Sequence, residues 1–198
     1  MESNQIIIFA SGSGSNAENL ITYFSEKAFN INWTIYTNNK KAGVINRANK
    51  LKVECKIFDK NDLYNGDVLT SINTINPKLI ILAWFLLKFP EDIVNLYYKK
   101  IINIHPALLP KYGGKGMYGM NVHYAIIRNK ETVSGITIHY INSNYDEGPI
   151  IFQKEVKIGS LDSPIDLANK IHALEMKFFP KVVEEIIIKW IKTKQNIM

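Results

Sequence analysis

The first hundred residues alternate between short apolar runs and segments whose apolar positions have helical spacing. The run 79–83 is continuously apolar, as expected of a central parallel strand that is buried on both faces. The pattern predicts strands at 5–10, 31–36, 53–58, 79–83 and 101–104, and helices at 16–26, 42–51, 62–75 and from Pro90 onward. Strands that alternate with helices in this way predict right-handed crossovers and a parallel sheet.

The last third of the chain has a different pattern. Residues 132–140 and 149–157 are two strand-like runs separated by a polar loop, which predicts an antiparallel pair added to the sheet. A long helix over about 163–191 is predicted to follow. We therefore expect an α/β fold, namely a Rossmann-like open sheet with a parallel N-terminal half and an antiparallel strand pair in the C-terminal third. No repeat or Pro/Gly/Ser-rich linker divides the chain, so residues 1–198 are predicted to form a single domain.

The net charge of +6 favours anionic partners. Only Arg47 and Arg128 are arginines among the 24 basic residues, and the lysines are scattered rather than grouped. Arginine makes most bidentate contacts to bases and phosphates, so its scarcity argues against nucleic acid in general. Most of the charge reflects a general preference for lysine, asparagine and isoleucine, and the remainder leaves an anionic small molecule or tRNA as the partner.

Membrane insertion, secretion and metal binding are all disfavoured. The longest apolar run, 79–87, has nine residues, whereas a membrane-spanning helix needs about 20. Glu2 places an acid where a signal peptide carries a base, so we expect a cytoplasmic protein. Cys55 is the only cysteine and the histidines lack metal-ligand spacing, which predicts no disulfide and no metal site.

A glycine-rich segment, Ser11-Gly12-Ser13-Gly14-Ser15-Asn16, follows the first predicted strand and opens a helix. Glycines allow a sharp turn, and a helix start offers free N–H groups and a positive dipole end, so the segment predicts a phosphate site. Gly12-x-Gly14-x-x-Ala17 also matches a relaxed dinucleotide fingerprint. That fingerprint needs an acid near the end of strand two, yet no Asp or Glu lies between Glu26 and Glu54. A phosphate monoester is therefore favoured over a dinucleotide.

The segment Asn103-Ile104-His105-Pro106 ends another buried strand. Alternation places Asn103 and His105 on one face, where an amide donor and an imidazole can hold a developing oxyanion and move a proton. The plainer interpretation is a core histidine with satisfied hydrogen bonds. However, prolines turn the chain out of the sheet at 106–110, and a glycine-rich loop follows at 111–116. A strand-end histidine beneath such a loop predicts a functional site.

The turn Tyr145-Asp146-Glu147-Gly148-Pro149 joins the last two predicted strands. Aspartate is common in turns, so this motif alone has no functional meaning. If the fold brings Asp146 near His105, its carboxylate is expected to raise the pKa of the imidazole and to orient the ring.

Three motifs occur in a fixed order along the chain: Gly12-Ser13-Gly14-Ser15-Asn16, Asn103-Ile104-His105-Pro106-Ala107-Leu108-Leu109-Pro110-Lys111-Tyr112 and Asp146-Glu147-Gly148-Pro149. In this order and spacing the chain resembles the phosphoribosylglycinamide formyltransferase family over nearly its whole length. The resemblance implies a transferase of de novo purine (IMP) biosynthesis. Such an enzyme moves the formyl group of its co-substrate, 10-formyltetrahydrofolate, to the amine of 5-phosphoribosylglycinamide, and it needs no metal.

The resemblance also implies roles for individual residues. Asn103 and protonated His105 would stabilise the tetrahedral intermediate, and Asp146 would raise the pKa of His105. The residues implied to bind 5-phosphoribosylglycinamide are Gly14, Ser15, Asn16 and Glu175. The residues implied to bind the folate are Leu86, Leu87, Lys88, Phe89, Asn103, Asn142, Ser143, Asn144, Tyr145 and Asp146.

One departure from the family is Trp84, which stands where many members have a small residue and implies a reshaped pocket wall. Two related enzymes with the same Asn-x-His core remain alternatives, formyltetrahydrofolate deformylase and methionyl-tRNA formyltransferase. The first usually carries an extra N-terminal domain and the second an extra C-terminal domain, and neither is expected here. A non-catalytic phosphate- or folate-binding module is the third alternative, although the co-occurrence of Asn103, His105 and Asp146 disfavours it. We expect small-molecule partners, no nucleic acid, no membrane, and a monomer or homodimer.

Overall fold

Within residues 4–195, which are the residues that the computed structural model describes, seven strands form one mixed sheet. The strands are β1 (Asn4–Phe9), β2 (Ile31–Thr37), β3 (Glu54–Ile57), β4 (Leu79–Leu82), β5 (Ile101–His105), β6 (Val133–Tyr140) and β7 (Ile150–Lys157). Their order across the sheet is β3-β2-β1-β4-β5-β6-β7. The first five are parallel, and β6 and β7 are antiparallel to their neighbours. The predicted fold class is therefore confirmed. Glu2, on which the expected lack of a signal peptide rested, lies outside the described residues.

Helices cover both faces of this sheet. They are α1 (Ser15–Ser25), α2 (Gly43–Leu51), α3 (Lys60–Tyr64), α4 (Asp67–Ile75), α5 (Glu91–Leu96), α6 (Met120–Arg128) and α7 (Pro164–Gln195). Alternate residues of β1 enter different cores: Ile6 and Ile8 pack with α1, α6 and α7, whereas Ile7 and Phe9 pack with α3, α4 and α5. Burial on both faces explains why the central strands are continuously apolar in sequence.

Two helix predictions need correction. The single helix expected at 62–75 is two helices, α3 and α4, because the chain turns at Asn65 and Gly66. Gly66 has a φ of +100°, and the Asn65 side chain accepts the Asp67 N–H at 3.0 Å, so a turn replaces the helical hydrogen bonds there. Helix α6 was not predicted, since only a glycine-rich loop was recognised before β6. It begins after Gly119, at the end of that loop.

The sheet order changes direction between β1 and β4, which is the switch point where open α/β sheets bind ligands. The glycine-rich segment follows β1, Trp84 follows β4, and His105 ends β5. The three carboxyl ends lie side by side because β4 pairs with both β1 and β5. The fold thus brings the phosphate-site segment and the Asn-x-His motif to one edge of the sheet.

Candidate active site

A cavity of about 350 Å³ opens at the carboxyl ends of β4 and β5. Asn103, His105 and Asp146 all line it. Every residue that the resemblance implied for the folate lines this cavity except Ser143, which is exposed. Its apolar wall comes from the segment after β4, and its opposite side comes from the loop 114–119. The cavity therefore combines a flat apolar wall with an amide, an imidazole and a carboxylate.

The pairing of β5 with β6 sets the orientation of Asn103. In this antiparallel register Asn103 lies directly opposite His139. The Asn103 amide nitrogen donates to His139 Nε2 at 3.1 Å, and His139 Nδ1 donates to the carbonyl of Tyr140 at 2.9 Å. Because a carbonyl only accepts, the proton of neutral His139 is on Nδ1, and Nε2 is free to accept. His139 thus fixes the amide of Asn103, leaving its second N–H for another acceptor.

The tautomer of His105 is fixed in the same way. Its Nε2 donates to the carbonyl of Tyr112 at 2.8 Å, so Nδ1 carries the lone pair in the neutral ring. Nδ1 lies 3.7 Å from a carboxylate oxygen of Asp146. That distance is too long for a hydrogen bond and short enough for strong charge coupling. His105 is therefore anchored through one nitrogen and can gain or lose a proton at the other.

Asp146 is positioned between two histidines. One carboxylate oxygen accepts the Gly114 N–H at 2.9 Å, and the other lies 3.7 Å from His139 Nε2. Gly113 makes the close approach possible, because a Cβ there would lie 3.1 Å from the Asp146 Cβ and 2.6 Å from the Leu109 side chain. Asp146 has a φ of +56°, a conformation that aspartate tolerates better than most residues.

The charge state of His105 differs from the expectation. Burial lowers the pKa of His105 below its ordinary value, although Asp146 and the Tyr112 carbonyl act in the opposite direction. Asp146 raises the pKa as expected, but desolvation of a 3% exposed side chain outweighs this one carboxylate. Burial also lowers the pKa of His139. Both rings are therefore neutral near pH 7.

The glycine-rich segment forms the start of α1, beside the cavity rather than in its wall. Gly14 has a φ of +78°, and a Cβ there would lie 2.4 Å from the Val44 side chain. Both the backbone conformation and the lack of space therefore require glycine. The Arg47 Nε donates to the carbonyl of Ser13 at 2.9 Å, and the same guanidinium pairs with Glu18. The hydrogen bonds of α1 begin with the Glu18 N–H, which donates to the Gly14 carbonyl, so the N–H groups before it are free of the helical ladder and can bind an anion.

Glu175 lies on α7 next to this segment and is 0% exposed. Its carboxylate accepts from the Asn16 side chain at 2.9 Å and from the Trp84 indole N–H at 3.2 Å to each oxygen. His172 Nδ1 lies 3.5 Å away, and its hydrogen bond to Glu175 raises the pKa of His172. The structure thus brings Asn16 and Glu175 together, but it is Trp84 rather than Glu175 that lines the cavity.

Several residues important to this geometry escaped the sequence analysis. Thr137 is 0% exposed, accepts the Leu109 N–H at 3.0 Å and donates to the Ala107 carbonyl at 2.7 Å, which holds the turn after His105. The only available signal for Thr137 and His139 was their shared face in β6. Trp84 and Tyr112 were named in the sequence analysis, but their positive φ values of +62° and +57° were not foreseen. Such strained non-glycine residues cluster at functional sites, but no sequence pattern reveals them.

The part of the chain that the structure describes contains no group of three His, Cys, Asp or Glu side chains arranged to hold a metal ion. No helix in that part is both long and apolar enough to span a membrane.

Comparison with known proteins places this site in context. The formyl transferase family model matches residues 4–183. A chloroplastic phosphoribosylglycinamide formyltransferase of Arabidopsis thaliana is 32% identical, over 97% of this chain and 72% of its own length. The phosphoribosylglycinamide formyltransferase of Bacillus subtilis is 31% identical, over 91% of this chain and 93% of its own.

Solved structures agree with these sequence matches. A phosphoribosylglycinamide formyltransferase from Anaplasma phagocytophilum superposes with a TM-score of 0.84 at 30% identity, covering 93% of this chain and 87% of its own. A glycinamide ribonucleotide transformylase from Geobacillus kaustophilus also gives a TM-score of 0.84, at 26% identity, with 93% and 99% coverage.

Proposed function

The chain belongs to the formyl transferase family, and from this premise we propose that it transfers the formyl group of 10-formyltetrahydrofolate to the amine of 5-phosphoribosylglycinamide in purine biosynthesis. The observation that carries the proposal is the convergence of Asn103, His105 and Asp146 on one cavity beside a phosphate-type helix start. In acyl transfer to an amine, an amide can stabilise the oxyanion, and a neutral imidazole beside a carboxylate can move the proton.

The phosphate of the acceptor binds at the start of α1. Gly14, Ser15 and Asn16 supply backbone N–H groups there, and the dipole of the 11-residue helix favours negative charge. Arg47 of α2 donates to the carbonyl of Ser13 in this segment, and its charge is shared with Glu18. The glycinamide end then extends toward Glu175, which is tied to this segment through Asn16.

The folate occupies the cavity. Its flat ring system suits the apolar wall formed after β4, and its polar edge suits the loop that carries Asn142, Ser143, Asn144 and Tyr145. Lys88 is exposed at the rim, with its ammonium 5.8 Å from the Tyr145 ring, and it suits an anionic folate tail. The residues in the wall are Leu86, Leu87 and Phe89.

Attack of the amine on the formyl carbon places negative charge on the formyl oxygen. The free N–H of Asn103 donates to that oxygen, and His139 holds the amide in the required orientation. A single well-placed donor of this kind contributes about 2.7–4 kcal/mol to transition-state stabilisation.

The proton of the attacking amine moves to Nδ1 of His105. Because burial keeps the pKa of His105 low, the ring is neutral beforehand and can act as a base. Once Nδ1 is protonated, the Asp146 carboxylate 3.7 Å away stabilises the imidazolium. His105 then returns the proton to the departing folate nitrogen. This order replaces the initial protonated His105 that the resemblance implied.

The test is turnover of the purified chain with both substrates, followed by the absorbance of the released folate. We expect transfer with wild type, and a kcat lowered roughly 10²–10³-fold by Asn103→Ala. Asn49→Ala, on the exposed side of α2, is the matched control and leaves kcat unchanged. Folate deformylation without the acceptor would indicate a hydrolase, and tight binding of both ligands without turnover would indicate a non-catalytic module. Either result overturns the proposal.

The proposal extends to the organisation of the protein. Residues 1–198 act as a single formyltransferase domain, since one continuous sheet carries residues from both halves of the site. The domain works as a monomer or homodimer in the cytoplasm on two small molecules, without nucleic acid. Light scattering after size-exclusion chromatography distinguishes a monomer or dimer from a larger assembly, which would contradict this part.

A further inference from the structure

Trp84 has a backbone conformation that is unfavourable for a tryptophan. Its φ of +62° is a left-handed conformation that large side chains avoid because it is strained. The backbone is held there by the Ser11 N–H, which donates to the Trp84 carbonyl at 3.0 Å. Such strain persists only where the surroundings impose it, so the contacts of the indole must be considered.

The indole covers a buried carboxylate. Its N–H lies 3.2 Å from both oxygens of Glu175, and Glu175 is 0% exposed while Trp84 lines the cavity. The indole therefore separates Glu175 from the space where the acceptor substrate must end. Any substrate group that reaches Glu175 has to displace this N–H.

Two further polar atoms near Glu175 lack hydrogen bonds. Among the described residues, Asn16 Oδ1 and His123 Nδ1 are buried side-chain atoms without a partner. Asn16 is bonded to Glu175 through its amide nitrogen, and the charge of Glu175 acts on His123. Buried polar atoms are almost always satisfied, so unpartnered ones beside a site are candidates for contacts to a ligand. Asn16 Oδ1, like the Glu175 carboxylate, can only accept, so a ligand group that bonds to either must donate.

We propose that Trp84 is a specificity-determining residue, which covers Glu175 in the free protein and yields only to an acceptor substrate that presents N–H or O–H donors. The physical reason is that a fully buried carboxylate is costly without its donors, so a ligand that offers only acceptors or apolar groups cannot replace the indole. The glycinamide end of 5-phosphoribosylglycinamide carries such donors. This inference rests on the proposed function, of which it explains the choice of acceptor.

The first test makes Trp84 its own reporter. The chain has three tryptophans, and Trp33→Phe with Trp190→Phe leaves Trp84 as the only one. Saturation with 5-phosphoribosylglycinamide should shift its emission to longer wavelength, because the indole leaves a buried carboxylate for a more solvated position. Inorganic phosphate, which fills only the helix start, should leave the emission unchanged. An unchanged emission at saturating 5-phosphoribosylglycinamide overturns the assignment.

The second test removes the N–H that the substrate must displace. Trp84→Phe should lower KM for 5-phosphoribosylglycinamide about tenfold, and by more than it changes KM for the folate or kcat, since removal of a competing internal contact tightens apparent binding of the acceptor. Trp33→Phe, a matched change in β2 against Phe24, should alter none of these constants. A raised KM in Trp84→Phe overturns the assignment. If this variant does not fold, the emission test decides alone.

The outcomes separate this inference from the proposed function. If the wild-type protein transfers formyl, but substrate binding leaves the emission of Trp84 unchanged and Trp84→Phe leaves KM unchanged, the role of Trp84 is refuted and the proposed function stands. Wild-type protein that neither binds 5-phosphoribosylglycinamide by calorimetry nor turns it over refutes both.

Discussion

Two carboxylates in this molecule each lie among histidines, and they are held in opposite ways. Asp146 has a partly exposed side chain and stands 3.7 Å from each of His105 and His139, beyond hydrogen-bond distance. Glu175 is fully buried and accepts from Asn16 and Trp84 within 3.2 Å. A carboxylate that is coupled to a ring without being bonded to it can respond when the ring changes charge. A carboxylate that already accepts from several donors can bind a ligand only when a donor of the ligand replaces one of them. We therefore expect the Asp146 region to control kcat and the Glu175 region to control KM for the acceptor.

The largest effect is expected at the centre of the Asp146 region. His105→Ala should lower kcat roughly 10²–10⁴-fold, because it removes the group that takes up and returns the proton. KM for both substrates should change little, since the ring is anchored on the Tyr112 carbonyl rather than on a binding residue. Steady-state kinetics measures both constants, and a near-normal kcat would remove His105 from the mechanism.

Asp146→Asn should have a smaller effect with a distinct pH signature. Loss of the carboxylate that raises the pKa of His105 lets burial lower this pKa further. The acid limb of the kcat profile should therefore move to lower pH, while kcat falls roughly ten- to hundredfold because the imidazolium loses its counter-charge. Asp92→Asn, an exposed residue of α5, is the control and should leave the profile in place. An acid limb that moves to higher pH would contradict the coupling.

Glu175→Gln tests the other region. One of the two acceptor oxygens becomes an NH2 donor, which would then face the N–H groups of Asn16 and Trp84. This mismatch should lower the free energy of unfolding by roughly 1–3 kcal/mol. KM for 5-phosphoribosylglycinamide should rise about tenfold because a buried acceptor is lost, whereas the acid limb of kcat should stay where it is. Glu185→Gln, exposed on the same helix, is the matched control in urea unfolding and kinetics. A fall in kcat without a change in KM would contradict the hypothesis that the Glu175 region controls KM and the Asp146 region controls kcat.

The smallest effect is on stability and follows from buried histidines. Burial lowers the pKa of His105, His123 and His139, so the unfolded chain binds more protons than the folded chain once the pH drops below about 6.5. The free energy of unfolding should therefore decrease as the pH falls below 6.5 and be flat between 7.5 and 8.5. His172, whose pKa is raised by Glu175, acts in the opposite direction but is a single, exposed group. Urea titrations at several pH values measure the slope, and His123→Gln should reduce it.

Local sequence patterns predicted much of the fold correctly. The seven strands and the alternation of helices were recognisable because apolar periodicity reports which faces of an element are buried. The errors fell where the periodicity was short. A single turn at Asn65 and Gly66 divided an expected helix, and nine-residue α6 follows a glycine-rich loop without a cap that a sequence pattern could reveal.

The candidate site was predictable in part. The glycine segment and the pair Asn103 and His105 stood out because a turn and a two-residue alternation are local features. The partners of these residues did not stand out: His139 lies 36 residues from the Asn103 that it orients, and Glu175 lies 159 residues from Asn16. The resemblance to a family supplied Glu175 and marked Trp84 as a departure in the pocket wall, but it did not indicate that the Trp84 indole covers Glu175.

The sequence by itself determined the elements and the kind of chemistry at strand ends, because backbone periodicity and residue type act over a few neighbouring positions. Only the tertiary structure decided the charge state of His105, the orientation of Asn103 and the closure of Glu175 by Trp84. Those properties depend on desolvation and on cross-strand register, to which distant segments contribute atoms that no local pattern specifies. The pKa of His105 is the clearest case. The residues alone predicted that Asp146 raises this pKa, and it does, but burial by the surrounding chain has the larger effect and lowers the pKa overall.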